Sequence, residues 1–156
     1  MVTDLNPQAA QMGHASMVRT LDAQARAIWP QEERLFLRYG LAADIDILDV
    51  GCGTGEITLR LAGLYPHASL LGVDLLEGPL TIARSRAMGL GDRVRFAPGD
   101  AFALDLPDAS VDLAVCRHML HAVPEPARVL TELRRVTRPG GRLHVIAEDY
   151  GMIHAP

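Results

Sequence analysis

Four sets of residues in this 156-residue chain have types and spacings that could hold or transform a small molecule. The first is the run IDILDVGCGTGE over residues 45–56, with glycines at 51, 53 and 55. Glycines at that density let a backbone turn tightly and approach a ligand closely. The second is a pair of acids, Asp49 before those glycines and Asp74 at 19 residues after Gly55. An acid at the latter spacing can accept hydrogen bonds from both hydroxyls of a ribose, and so marks an adenosine binder. Its plain alternative is an acid favoured by a helix N-terminus. The third is Asp100-Ala101 after Pro98-Gly99, which read locally is a turn signal. The fourth is His118 and His121, which titrate near neutral pH and could take a proton from an acceptor. The plain alternative is that each packs or caps the next helix. His144 completes a trio of histidines, but it falls inside a strand pattern and should point away, so no metal site is expected. Cys52 and Cys116 are the two cysteines, with no CxxC or metal-type spacing. Cys52 reads as a small residue filling the turn, not as a nucleophile.

These residues need a scaffold, and the periodicity supplies one. Ile45, Ile47, Leu48 and Val50 suit a buried parallel strand, and Ile57, Leu61 and Leu64 recur at helical spacing. Strand, glycine loop and helix therefore follow one another. In an open α/β sheet that loop lies at the carboxyl end of the strand, where nucleotides bind. Upstream, residues 16–29 carry a helical stripe and Pro30 starts a second helix closed by Gly40. Downstream, residues 56–65 read as helix, 69–74 as strand, 79–88 as helix and 93–96 as strand. A fourth strand over 113–116, a helix opened by Pro124 and Pro126, and a fifth strand over 143–147 complete the alternation. Regular β-α alternation predicts a parallel sheet with right-handed crossovers.

Composition narrows the function classes. The chain is 49% hydrophobic and 22% charged, as expected of one globular domain. Its net charge of -4 lacks the basic face that nucleic-acid binding requires. No apolar run approaches a membrane span, and the N-terminus has no signal-peptide pattern. A reduced, cytoplasmic setting is expected.

The segment DVGCGTG resembles motif I of the class I S-adenosylmethionine-dependent methyltransferases. Supporting it in order are Asp74, Gly99-Asp100-Ala101, LDLPDASVD over 104–112, RHMLHAV over 117–123 and ELRRVTRPGGRLHVI over 132–146. LDLPDASVD resembles a segment of the small-molecule enzymes closest to the quinone and sterol methyltransferases, and ELRRVTRPGGRLHVI resembles a segment of the wider family. The resemblance implies that S-adenosylmethionine is the cofactor. It further implies that the backbone around Gly51, Cys52, Gly53 and Gly55 holds the methionine end, and that Asp49 reaches the ammonium through water. The Cys116 carbonyl would meet the ammonium too. Asp74 would hold the ribose, Leu75 pack on adenine, and Asp100 and Ala101 bind its edge. Glu148, Asp149, Tyr150 and His154 lie where acceptors often bind.

The fold expected is α/β: a Rossmann-like, open, mainly parallel sheet with helices on both faces. Residues 1–40 form an N-terminal helical lid region and residues 41–156 the methyltransferase core. The family sheet has seven strands, and no counterpart of its C-terminal strands is expected within these 156 residues. A fragment, a minimal version, or a homodimer covering the sheet edge would each account for that. The function expected is methyl transfer to a small-molecule acceptor, with no nucleic acid and no membrane insertion. One alternative is a non-catalytic donor-binding module. Another is a nicotinamide-dependent oxidoreductase, disfavoured because Glu56 stands where G-x-G-x-x-G needs its third glycine.

Overall fold

The computed structural model describes residues 15–147. Five strands form one sheet: β1 (Asp46–Val50), β2 (Ser69–Asp74), β3 (Val94–Pro98), β4 (Val111–Arg117) and β5 (Thr137–Ile146). Their order is β3-β2-β1-β4-β5, and every pairing is parallel. The helices are α1 (Ala15–Arg38), α2 (Glu56–Leu64), α3 (Glu77–Arg86) and α4 (Pro126–Val136).

Alternation along the strands sorts the helices into two layers. Ile47, Leu113 and Val115 belong to a core with Phe36, Leu61 and Leu80, and so face α1, α2 and α3. Leu48, Val50, Ala114 and Cys116 belong to a second core with Val129, Leu133 and Val136 of α4. The open parallel sheet with helices on both faces is as expected from the sequence. From β1 the chain steps to β2 and β3 on one side, then crosses to β4 and β5 on the other. Loops leaving β1 and β4 therefore diverge, which opens a crevice at the carboxyl edge of the sheet. Asp49 is level with Gly72 and Val115 there, and Val50 with Val73 and Cys116.

Two elements differ from expectation. Residues 16–29 and the stretch after Pro30 form one helix, α1, with Pro30 inside it. An interior proline removes a ladder hydrogen bond and costs about 3 kcal/mol. Contacts on both sides offset this. Asp22 pairs with Arg86 at 2.6 Å, and Glu32 pairs with Arg117 at 2.7 Å. Phe36 is fully buried. Strand β5 starts earlier than residue 143, because Thr137 already pairs with Val111. Its register then shifts, and Arg142 pairs with Leu113. A Cβ on Gly141 would sit 2.8 Å from the Asp112 carbonyl, so a side chain there would not fit. Arg138 ties the opposite edge of the sheet to Asp46 at 2.9 Å and Asp112 at 2.6 Å. Among the described residues β5 is an outer strand, with Leu143 and Val145 exposed.

Candidate functional site

A cleft of about 840 Å³ opens where β1, β2 and β4 end, roofed by Leu21, Gln24 and Ala25 of α1. That volume suits a small-molecule site. Its floor is the glycine turn. Gly51, Gly53 and Gly55 have φ of 73°, 52° and 78°, all in the left-handed region that favours glycine. The Gly51 and Cys52 amides donate to the Val73 carbonyl at 2.8 and 3.1 Å, which folds the turn back against β2.

The three glycines serve different needs. A Cβ on Gly51 would lie 2.9 Å from the Met119 sulfur, so the turn and the post-β4 segment meet there. A Cβ on Gly53 would meet nothing within 4 Å, leaving its backbone open toward the cleft. Gly55 was expected on the cofactor, but it does not line the cleft. It sits at the N-cap of α2, and a Cβ there would lie 2.7 Å from the Phe96 ring. Gly55 is thus required by core packing.

Asp74 ends β2 and faces the turn. One carboxylate oxygen accepts from the Gly53 amide at 2.8 Å and the other from the Leu76 amide at 3.0 Å. A carboxylate has about four lone-pair sites, so two bonds leave capacity for a ligand. Asp49 is 3% exposed and accepts from the Thr58 hydroxyl at 2.6 Å. Burial pushes its carboxyl from 3.8 up to about 6, against the lowering effects of Thr58 and Arg117. Leu75 stands exposed at the rim, and Asp100 and Ala101 line the far end. The Phe102 amide donates to Asp100 at 2.8 Å, and the Arg128 guanidinium lies 5.0 Å from the centre of the Phe102 ring.

Cys52 is on the cleft wall, and burial drives its thiol pKa far up. Cys116 is fully buried in the α4-side core, with its thiol pushed up to about 12. Neither thiol is poised as a nucleophile. His118 lines the cleft with φ of 53°, and its amide donates to the Ile146 carbonyl at 2.8 Å. His121 is exposed on the turn Leu120–Ala122 and is not part of the cleft wall. His144 is buried beneath α1, where it shares a 2.9 Å hydrogen bond with the Tyr39 hydroxyl and stacks on Phe36 at 4.3 Å. Burial, aided by Arg117, lowers its pKa to about 4. Glu148, Asp149, Tyr150 and His154 lie outside the described residues.

Sequence reasoning missed the charged frame of the cleft. Arg117 lines it and pairs with Glu32, and both side chains are buried. Arg86 joins α1 to the glycine turn through Asp22 and Thr54. The partners stand 85 and 64 residues apart, so no local pattern links them. A charge directly after a buried strand was the one available signal for Arg117.

Comparison with known proteins agrees with this geometry. Residues 48–145 match the family described as Methyltransferase domain. The demethylmenaquinone methyltransferase of Thermus thermophilus is 39% identical over 100 residues, covering 64% of this chain and 46% of that protein. The 27-O-demethylrifamycin SV methyltransferase of Amycolatopsis mediterranei is 37% identical over 126 residues, covering 80% and 45%. Among solved structures, the [4+2]-cyclase SpnF superposes with a TM-score of 0.65 at 35% identity, covering 72% of this chain and 44% of that one. The chain thus spans about half the length of the curated relatives it matches. The family match covers most of the chain, including the glycine turn, Asp74, Asp100 and the post-β4 segment, and on it we conclude that the chain belongs to the methyltransferase-domain family.

Proposed function

We propose that this chain transfers a methyl group from S-adenosylmethionine to a small-molecule acceptor. The observation carrying this reading is the Gly53 amide held by Asp74 beside an open backbone cradle, within a cleft that also holds Asp100 and a buried Asp49. The residues fit the donor. Gly51, Cys52 and Gly53 would hold its methionine end, with Asp49 and the Cys116 carbonyl toward the ammonium. Asp74 would hold the ribose, Leu75 the adenine face, and Asp100 and Ala101 the adenine edge. When bound, the donor supplies an electrophilic methyl on a sulfonium.

The chain's own contribution is position, exclusion of water and, for a hydroxyl or carbon acid, proton removal. Orientation alone can supply roughly 7–11 kcal/mol. His118 is the base on the cleft wall, worth about 10²–10⁴-fold for an acceptor that must lose a proton. His121 is assigned to shaping the post-β4 turn. Of the lid region 1–40, the described helix α1 acts as a lid on the core through Leu21, Gln24 and Ala25. No described helix is long and apolar enough to cross a membrane, and we assign the protein to the cytoplasm. A homodimer would cover Leu143 and Val145 on β5.

A nicotinamide cofactor fits less well. Glu56 opens α2 and lines the cleft where a pyrophosphate would need glycine. Calorimetry with S-adenosylmethionine, S-adenosylhomocysteine and NAD, on wild type and Asp74→Ala, tests the reading. The expected result is selective binding of the two sulfur nucleosides, weakened at least tenfold (about 1.4 kcal/mol) in Asp74→Ala. Absence of binding by wild type sinks it. Similarity to a cyclase makes methyl turnover the second readout required, since binding without transfer would favour a donor-binding module.

A further inference from the structure

We propose that Arg86 is a positioning residue for donor binding: by gripping Asp22 of α1 and Thr54 of the glycine turn together, it latches the part of α1 before Pro30 over the cleft. The inference rests on the donor reading above. Arg86 donates to both Asp22 oxygens, at 2.6 and 3.1 Å. The same guanidinium reaches the Thr54 hydroxyl at 3.1 Å and its carbonyl at 3.3 Å, with Glu56 at 3.4 Å. One planar fork thus joins α1, α3 and the turn between β1 and α2, a geometry suited to arginine and not to lysine.

The latch holds a segment with a built-in break. Pro30 cannot donate to the Arg26 carbonyl, so α1 lacks one ladder bond there. Beyond Pro30 the helix is fixed by the buried pair Glu32–Arg117 and by Phe36. Before Pro30 it carries the roof residues Leu21, Gln24 and Ala25, and its ion pair is partly open to solvent, at 27% for Arg86 and 18% for Asp22. A stable half and a looser half therefore meet at the proline, and the looser half covers the cleft. Water can compete for the Asp22–Arg86 pair, so the roof opens there first.

Two measurements on the full chain test this. The first is amide hydrogen exchange without donor, in wild type, Arg86→Gln, Arg86→Lys and Asp22→Asn. Exchange should quicken in residues 15–29 in every variant, while residues 31–38 stay at the wild-type rate. The second is the stopped-flow dissociation rate of S-adenosylhomocysteine. It should rise about fivefold in either single variant, Arg86→Gln or Asp22→Asn, and no further in the double variant, as expected for two residues acting as one unit. Unchanged exchange in residues 15–29, or additive effects on dissociation, would overturn the latch. If wild type binds no S-adenosylhomocysteine, the donor reading falls, and the exchange experiment still decides whether Arg86 holds the roof.

Discussion

Asp49 and His144 are both buried, and their titrations oppose each other. Burial raises the Asp49 pKa to about 6, so the folded state holds that proton more tightly than the unfolded chain. Its contribution to stability is therefore greatest below pH 4 and falls as pH rises toward 6. Burial lowers the His144 pKa to about 4, so the folded state releases that proton sooner. Its contribution is full above pH 6.5 and is lost as pH falls toward 4. Each change is worth about 3 kcal/mol, with opposite sign over nearly the same window. Wild type should thus show a shallower pH dependence between pH 4 and 6.5 than the Asp49→Asn variant in urea titrations. Asp49→Asn should steepen the loss toward acid and stabilise the fold at pH 7, while His144→Gln should reverse the slope. A wild-type slope as steep as that of Asp49→Asn would refute the cancellation. That Asp74 lies in the cleft was legible from its 19-residue spacing, but its grip on Gly53 was not, because that bond depends on how the turn folds back.

At the scale of elements, strands β1, β2 and β4 were legible because apolar runs bounded by Gly, Pro and Asp leave little choice, and β3 because Arg93-Val94-Arg95-Phe96 alternates polar and apolar residues. The continuity of α1 was not, since Pro30 is locally a start signal and only tertiary contacts override it. Chief among these contacts is Glu32–Arg117, 2% and 8% exposed. Removing one partner of a buried pair leaves an uncompensated charge and costs about 3–5 kcal/mol. Glu32→Leu or Arg117→Leu should lower stability by that amount in chemical denaturation. The double change to leucine should recover most of it, because the polar demand disappears with both partners. A double variant as unstable as either single one would show that the pair is not the fixture of α1.

For the molecule as a whole, the sheet order places the cleft, and the proposed homodimer concerns the outer strand of the described residues. Leu143 and Val145 of β5 and Leu130 of α4 are exposed apolar side chains. Among the described residues β5 has a neighbour on one side only, and an outer strand of this kind invites pairing with another chain. Sedimentation equilibrium should report a dimer for wild type and a monomer for Leu143→Lys, with the S-adenosylhomocysteine affinity unchanged because β5 contributes nothing to the cleft wall. A monomeric wild type would remove the homodimer from the proposal. Finally, Tyr39 below α1 meets His144 on the last described strand, 105 residues later. At a synthesis rate of about 5–20 residues per second, the first helix emerges roughly 5–20 s before its partner strand exists. Through that interval Phe36 and Tyr39 lack the His144 ring that they meet in the folded chain, so a nascent chain halted before β5 should expose both to chaperones that hold apolar surface.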